Sequence, residues 1–228
     1  MHTKRIAAPR TWRIPKKEKK WTVTPSPGQY RKGECVPLLI ILRDVIKCCD
    51  SAKEARRIVA ERLVKADEKV VTDPKFPVGL MNSVSIGESY YRVILDKKGI
   101  KIVKTSEENT ATKLVRVNDI GIVKNGKYQF SLHDGRNVLL DKKEYRVGDT
   151  LKIKVLNQEI VGVIEFKEGN LALITGGKHL GEFSRIKKEK KVPGSLPNMV
   201  ELEDFEVPKQ NVFVIGKEKS ELEGVVNV

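Results

Sequence analysis

Hydrophobic periodicity changes part-way along the chain, and this change limits the fold more than any other feature. Between Pro37 and Leu63, apolar residues recur at the three- and four-residue spacing of helices. From Tyr90 onward they alternate as in half-buried strands, with turn signals at Asn125–Gly126 and Asp134–Gly135. Helices followed by strands predict an α+β protein, and 228 residues suit two or three small cores better than one large domain.

The helical region is predicted to contain two helices and a hairpin. The first helix starts at Pro37, where the first turn tolerates proline, and continues to Asp50 with apolar residues on most sides, which predicts burial. The second starts at Ser51, because Ser51 and Glu54 match a capping box. The stretch LVKADEKVV then predicts a short hairpin that turns at Asp67–Glu68.

The strand-rich region is predicted to form a mostly β central domain and a small barrel. The central domain is expected to include YYRVIL, IKIV, LVRV, GIVKNGKYQFSL, RNVLL and strands in VGDTLKIKV and IVGVIEF, with a short capped helix near Thr105. A strand ending near Phe166, followed by LALIT, GEFSRI, MVEL and NVFVI, predicts a five-stranded barrel. From Val200 the chain becomes acidic, so its end is expected to avoid a polyanion.

The formal net charge is +14, and more than half of this excess lies in the first 34 residues. These residues carry ten Lys or Arg against Glu18 and Glu34, with four prolines and little periodic apolar pattern. Such a segment is not expected to fold alone. Because an excess of this size causes self-repulsion that bound phosphates relieve, the predicted partner is a polyanion, with nucleic acid the leading candidate.

Trp12, Trp21 and Tyr30 are spaced among these cations, and two interpretations stay open. In the first, the arm folds against RNA, with basic side chains on phosphates and aromatic rings on exposed bases. In the second, it is a solvated basic tail whose aromatic side chains dock on the following domain. The density of charge favours the first interpretation.

The second predicted helix presents a basic face. Lys53, Arg56, Arg57 and Arg62 lie opposite the apolar positions and are candidates for RNA contact. The alternative is an ordinary solvated face on which Arg57 pairs with Glu61 at i,i+4 spacing.

The stretch TGGKHLGEF, residues 175–183, places three glycines and two basic side chains between apolar runs. It is not a Walker loop, because Ala172 stands at the position of the early glycine and His179 replaces the Ser or Thr after Lys178. It is predicted to be a turn that allows close approach of the backbone, with Lys178 and His179 available to phosphate.

Other classes of function find little support. Cys35, Cys48 and Cys49 show no metal-ligand spacing, and their odd number suits a reducing compartment. The apolar run from Val36 is broken by Arg43 after seven residues, so no signal peptide or membrane span is expected. The three histidines show no nucleophile spacing, and an enzyme is not expected.

Five ordered stretches resemble the ribosomal protein S-four, e type, of archaeal and eukaryotic small subunits: KRIAAPRTWRIPKK, ECVPLLIILRD, DEKVVTDPKFPVGLMNSVSI, GNLALITGGKHLGEFSRI and NVFVIGK. The resemblance covers nearly the whole chain. It implies a basic extended arm (1–36), an S-four-type RNA-binding domain (37–100), a mixed β central domain (101–165), a KOW-type, SH3-like barrel (166–216) and an acidic tail (217–228). Because the chain ends at Val228 without a basic extension, the archaeal form is expected.

The resemblance places Lys53, Arg56 and Arg57 where the second helix of the S-four-type domain meets RNA. It places the glycine loop in the KOW signature. The Asp67–Glu68 turn departs from the Asp-Gly of many relatives, which puts its turn geometry in question. With the arm and flanking cations, the predicted RNA-binding residues are Lys4, Arg5, Arg10, Trp12, Arg13, Lys16, Lys17, Lys19, Lys20, Trp21, Arg31, Lys32, Lys53, Arg56, Arg57, Arg62, Lys65, Gly176, Gly177, Lys178, His179, Gly181, Arg185, Lys187 and Lys188.

The function implied by the resemblance is that of a structural constituent of the small ribosomal subunit, in the cytoplasm, that binds and organises its RNA and supports subunit assembly and translation. The alternative is a free translation or RNA-modification accessory factor built from the same modules. No segment remains for a catalytic domain, which favours the first. The expected partners are small-subunit ribosomal RNA and neighbouring ribosomal proteins, with no cofactor, metal, membrane, small-molecule substrate or obligate homo-oligomer.

Overall fold

The computed structural model of the protein describes residues 3–124 and 126–217. Strands predominate in them, with three short α-helices, in agreement with the predicted α+β class. The chain divides between Ala111 and Thr112 into two compact units. Asn125 of the predicted Asn125–Gly126 turn and all but Lys217 of the predicted acidic tail lie outside the described residues.

The first unit combines short helices with a five-stranded antiparallel sheet. Its strands are β1 (Thr3–Lys4), β2 (Trp21–Thr22), β3 (Cys35–Pro37), β4 (Val64–Ala66), β5 (Lys69–Val70), β6 (Pro77–Gly79), β7 (Ser83–Ile86), β8 (Ser89–Asp96) and β9 (Gly99–Thr105). Its helical segments are 3-10 turns at Arg5–Ala7 and Arg10–Trp12, α1 (Leu38–Ile40) with a π-helical continuation at Ile41–Ile46, α2 (Ala52–Ala60) and α3 (Glu107–Thr110). The sheet order is β5-β4-β7-β8-β9, while β1 pairs with β2 and β3 with β6.

Helix α1 and its π-helical continuation are buried, as their apolar sequence predicts, from Leu38 to Leu42. The helix ends at Ile46 and not at the predicted Asp50. Lys47 adopts a left-handed conformation with φ of 61° and stops the helix, and the Cys48 N–H then donates to the Leu42 carbonyl over 3.0 Å. A left-handed residue closes a helix because it turns the following N–H groups back toward the last free carbonyls.

Helix α2 begins as predicted. The Glu54 N–H donates to Ser51 Oγ over 3.1 Å, and the Glu54 carboxylate accepts from the Ser51 N–H, which completes the capping box. Hydrogen bonds from the Asp50 N–H and from Ser51 hold the pKa of Glu54 below its usual value. Ala55 and Val59 are buried, so the helix packs on one face and exposes the other.

The predicted hairpin turn at Asp67–Glu68 is confirmed, and it uses no glycine. Both residues have positive φ, at 48° and 61°, in a tight turn between β4 and β5. The buried Asp67 carboxylate accepts from Asn82 Nδ2 over 2.9 Å and from the Ser83 N–H over 3.0 Å. These bonds hold the left-handed conformation at the position where the departure from Asp-Gly had put the turn in question.

Strands β8 and β9 belong to the first unit, although periodicity alone had grouped YYRVIL and IKIV with the strands of the central domain. They pair from Tyr90–Thr105 to Asp96–Gly99, and β8 also pairs with β7. The predicted boundary at residue 100 therefore falls inside β9. Periodicity could not show this, because a change from helix to strand within one domain looks the same as a change between domains.

The second unit contains two five-stranded antiparallel sheets. Its strands are β10 (Thr112–Ile122), β11 (Tyr128–Leu132), β12 (Asn137–Leu140), β13 (Thr150–Lys154), β14 (Ile160–Ile164), β15 (Leu171–Ile174), β16 (Phe183–Lys190), β17 (Met199–Leu202), β18 (Glu206–Pro208) and β19 (Val212–Gly216), with a 3-10 turn at Lys209–Asn211. The central sheet has the order β12-β11-β10-β13-β14. Its core is formed by Val115, Val117, Phe130, Leu132, Leu151 and Ile153.

The second sheet of this unit has the order β18-β17-β16-β15-β19, so β19, the last of the described strands, pairs with β15, the earliest strand of this sheet in sequence. Five strands were predicted, but their identity differs. The strand in IVGVIEF is β14 and pairs with β13 in the central sheet, whereas β18 is the fifth strand here. The boundary between 165 and 166 and the KOW-type barrel remain interpretations of this arrangement.

Candidate nucleic-acid interface

The basic N-terminal arm, residues 3–34, is fixed to the first unit by aromatic side chains. Trp12 is 1% exposed, and its Nε1 donates to the Cys35 carbonyl over 2.6 Å. Tyr30 is also buried, and its hydroxyl donates to the Leu80 carbonyl over 3.2 Å. The Tyr30 ring lies where a Cβ on Gly79 would stand, at 2.6 Å, so a glycine is needed there. Trp12 and Tyr30 therefore dock on the part of the chain that follows the arm, as the second interpretation predicts.

Arg5 lies inside the same region. Its side chain is 1% exposed, its Nε donates to the Pro15 carbonyl over 2.5 Å, and its guanidinium lies 3.7 Å from Asp44 and 3.6 Å from Glu18. Arg5 and Trp12 therefore cannot meet RNA in this conformation, which corrects their assignment as RNA contacts. Sequence reasoning missed their burial because Arg5 and Trp12 stand in a segment without apolar periodicity.

The other basic side chains of the arm lie at its surface. Lys16 is half-buried and donates to the Ala8 carbonyl, and Arg13 pairs with Asp96 at 2.7 Å. Trp21 is 50% exposed, with the Lys20 ammonium 5.5 Å from its ring. The Lys32 ammonium donates to Thr3 Oγ1. The exposed arm cations that form no ion pair within 3–124 and 126–217 are Lys4, Arg10, Lys17, Lys19, Lys20, Arg31 and Lys32.

Helix α2 and the strand after it present a second basic surface. Lys53 and Arg56 are exposed on the face opposite Ala55 and Val59. Arg57 forms the predicted ion pair with Glu61 at 2.8 Å. Its charge is therefore partly neutralised, as expected for a solvent-exposed helix face. Beyond the helix, Arg62 (φ of 60°) and Lys65 of β4 are exposed as well.

The glycine loop, residues 175–183, is a tight connection between β15 and β16 in the second unit. The Gly181 N–H donates to the Ile174 carbonyl over 2.8 Å, and the Ile174 N–H donates to the Glu182 carbonyl over 3.0 Å. Gly177 and Gly181 have φ of 88° and 75°, whereas Gly176 has no positive φ. The two glycines supply the left-handed conformations that close the loop.

Asn211 holds the other side of this loop. Its carbonyl accepts from the N–H and the hydroxyl of Thr175, at 2.8 and 3.1 Å, and its side chain lies 3.1 Å from the place of a Cβ on Gly176. Arg116 of β10 fixes the turn that carries Asn211, since its guanidinium donates to the carbonyls of Gln210 and Val212. The loop is thus anchored through main-chain groups.

His179 is used inside the loop. Its Nδ1 lies 2.8 Å from Glu182 Oε2, and its ring stacks on Phe205 with centroids 3.8 Å apart and planes 7° from parallel. One ring nitrogen and one ring face of His179 are therefore occupied. Only Nε2 and the other ring face remain for the predicted contact with phosphate. Lys178 beside it is exposed and has no ion pair among the described residues.

Three further predicted cations lie along β16. Arg185 and Lys188 are exposed, without an ion pair in the described part of the chain, and Lys187 donates to the Glu203 carbonyl over 2.9 Å. With Lys178, they give the second unit its own basic surface. The exposed residues of the predicted set thus lie on three parts of the chain: the arm, α2 with the strand after it, and the glycine loop with β16.

The described residues contain no group of three or more His, Cys, Asp or Glu placed to hold a metal ion. Burial raises the pKa of the Cys35 thiol to about 11, with a contribution from Glu34. Among the described residues, no helix has the length and apolar character to cross a membrane.

Models of three families match successive parts of the chain. The RS4NT domain matches residues 1–29, the S4 domain residues 36–84 and the Ribosomal family S4e residues 87–160. These matches define the class, a ribosomal protein that carries an S4 domain between its N-terminal segment and its β-rich part.

Curated relatives and a solved structure are similar along most of the chain. Small ribosomal subunit protein eS4 of Archaeoglobus fulgidus is 40% identical, covering 97% of this chain and 95% of the relative, and that of Methanocaldococcus jannaschii is 41% identical, covering 96% and 95%. The crystal structure of 30S ribosomal protein S4e from Thermoplasma acidophilum has a TM-score of 0.73 at 36% identity, covering 82% of this chain and 97% of that one. The chain belongs to the family of small ribosomal subunit proteins eS4, whose members are components of the cytoplasmic ribosome.

Proposed function

We propose that the protein is a structural constituent of the small ribosomal subunit that binds and organises small-subunit ribosomal RNA. The observation that carries the proposal is the set of exposed basic side chains, most of them without an ion pair among the described residues, on the arm, around α2 and around the glycine loop. Family membership supports the ribosome as the place of action. The protein has no enzymatic role in this proposal.

Lysine and arginine side chains left without carboxylate partners are suited to phosphates, because each contact releases counterions from the RNA. Contacts to the backbone position a protein on RNA and carry little sequence information. We therefore propose that the shape of folded ribosomal RNA, met at several surfaces, selects the binding site. In this proposal the protein acts beside neighbouring ribosomal proteins and without an obligate homo-oligomer.

Sedimentation of cell extracts tests this proposal. The protein should migrate with small subunits and stay with them after a wash at high salt. An accessory factor would be released by the wash and would appear at the top of the gradient. That second distribution would contradict a structural role in the subunit while leaving RNA binding intact.

A further inference from the structure

The turn between β8 and β9, residues 96–99, supports the N-terminal arm. Gly99 has φ of 115°, and a Cβ at this residue would lie 2.6 Å from both the Cα and the carbonyl oxygen of Thr11. Any side chain would push the arm away, so the 3-10 turn Arg10–Trp12 lies directly on this turn. Two segments more than 80 residues apart in sequence therefore share one small area of the surface.

Two contacts hold the arm in this place, one through Trp12 and one through Arg13. Trp12 is buried with its indole bonded to Cys35, so Arg10 and Arg13 flank an anchored residue and are both exposed. Arg13 has a left-handed backbone, with φ of 52°, and its guanidinium meets the Asp96 carboxylate at 2.7 Å.

The turn contributes cations of its own. Its sequence, DKKGIK from 96 to 101, has three lysines, and Lys97, Lys98 and Lys101 are exposed. Asp96 is its one carboxylate, and it also accepts from the Lys97 N–H over 2.8 Å. The hydrogen bond from Arg13, with smaller contributions from the Lys97 N–H and the charges of Arg13 and Lys101, holds the pKa of Asp96 below its usual value. The carboxylate thus stays ionised and offsets part of the positive charge of the arm and the turn.

We propose that Arg10, Arg13, Lys97, Lys98 and Lys101 form a composite basic patch that binds the phosphate backbone of RNA. The inference rests on the proposed function and assigns it a site to which arm and turn both contribute. The sequence alone treats DKKG as a hairpin turn only, because the arm that completes the patch is distant in the chain.

RNA fits this patch better than an acidic protein does. Protein interfaces have an apolar centre and are depleted in lysine. None of the exposed large apolar side chains among the described residues comes from 9–13 or 96–101. Flexible lysines on a turn, without an apolar neighbour to bury, are instead typical of contacts to phosphate, where charge and reach matter more than shape.

Filter binding to purified archaeal small-subunit ribosomal RNA over a range of salt concentrations tests the patch. The variant is Lys97→Ala/Lys98→Ala/Lys101→Ala in the full chain. The matched control is Lys124→Ala/Lys142→Ala/Lys143→Ala, which removes the same charge from exposed sites of the second unit. The patch variant should bind roughly tenfold more weakly, and its plot of log affinity against log salt should be flatter by about 2 to 3.

Each outcome has one meaning. Equal losses of RNA affinity in the patch variant and the control would contradict the proposed patch, because they would show that only the total charge of the protein matters. Wild-type protein without salt-sensitive RNA binding would instead overturn the proposed function. Because all six lysines are exposed, both variants should melt at the same temperature as the wild-type protein. Equal melting temperatures would show that the lost affinity does not come from unfolding.

Cleavage from tethered iron chelates tests whether arm and turn share one RNA segment. In a Cys48→Ala background, which removes the exposed thiol, Arg10→Cys and Lys98→Cys each carry the chelate. Both should cut the same few nucleotides, while Lys142→Cys should cut elsewhere or not at all. Cuts from Arg10 and Lys98 in unrelated segments would show that the two do not form one site.

Discussion

The N-terminal arm and the glycine loop are two candidate RNA-binding segments of this chain, and they are held in place by different means. The arm is fixed by large side chains, since Trp12 and Tyr30 are buried and bonded to main-chain carbonyls. The glycine loop is fixed by main-chain hydrogen bonds and by the left-handed conformations of Gly177 and Gly181. Large side chains thus fix the arm, whereas residues without a side chain allow the backbone conformation of the glycine loop.

The two segments share one feature: an aromatic ring of each contacts the protein, and the basic side chains beside it are exposed. In each, a ring that was predicted to meet RNA contacts the protein itself: the Trp12 indole donates to the Cys35 carbonyl, and the His179 ring, which was predicted to be available to phosphate, stacks on Phe205. The basic side chains beside these rings, Arg10 and Arg13 in the arm and Lys178 in the loop, stay exposed. We infer that the aromatic residues position each segment and that the cations contact RNA. Substitutions should therefore separate stability from affinity.

The largest effect is expected from Trp12→Ala. Removing a fully buried indole should lower the free energy of unfolding by about 3 to 5 kcal/mol, measured by chemical denaturation. Trp21→Ala is the matched control, and since this ring is half exposed it should cost about 1 kcal/mol or less. Equal costs would show that the arm is not anchored through Trp12.

In the glycine loop, Gly181→Val should destabilise by about 1 to 3 kcal/mol, because a β-branched residue is strained at φ of 75°. Gly121→Val is the control in the same unit: this glycine lies in β10 with ordinary φ and nothing within 4 Å of an added Cβ. The control should change the free energy of unfolding by less than about 0.5 kcal/mol. A loop that tolerates valine at 181 would not depend on left-handed glycine.

His179→Ala should reduce stability by roughly 1 kcal/mol, because it removes the stack on Phe205 and the bond to Glu182. RNA affinity should change less than with Lys178→Ala. Denaturation and filter binding on the same preparations measure both. A loss of affinity with unchanged stability would mean that His179 contacts RNA directly.

Lys178→Ala should leave the melting temperature unchanged and weaken RNA binding by about 1 kcal/mol, the scale of one charge-assisted contact. Lys124→Ala, an exposed lysine of the same unit outside the basic surfaces, is the control. Binding is compared at two salt concentrations. If both variants bind like wild type at both, the glycine loop has a structural role only.

Local rules were sufficient where the decisive contacts are close in sequence. The capping box at Ser51 predicts the start of α2, and the apolar run after Pro37 predicts a buried helix. The end of that helix was predicted four residues too late, because a left-handed lysine gives no signal in composition. The Asp67–Glu68 turn was predicted, but its support by Asn82 and Ser83 depends on pairing with β7.

The parts that sequence could not predict depend on distant contacts. Burial of Arg5 and Trp12 requires Asp44 and Cys35, and the place of β8 and β9 in the first unit requires pairing with β7. Exposure of the lysines, by contrast, followed from their cost of burial. The cationic part of the candidate interface was therefore easier to foresee than its aromatic part.

The central claim is that many exposed cations of the intact protein contact RNA phosphates, and the salt dependence of binding tests it most directly. Each contact contributes about −0.7 to −0.9 to the slope of log affinity against log salt. With ten or more cations on the arm, α2 and the glycine loop in contact with small-subunit ribosomal RNA, the slope should be roughly −6 or steeper. A slope shallower than about −3 would contradict an extended electrostatic interface.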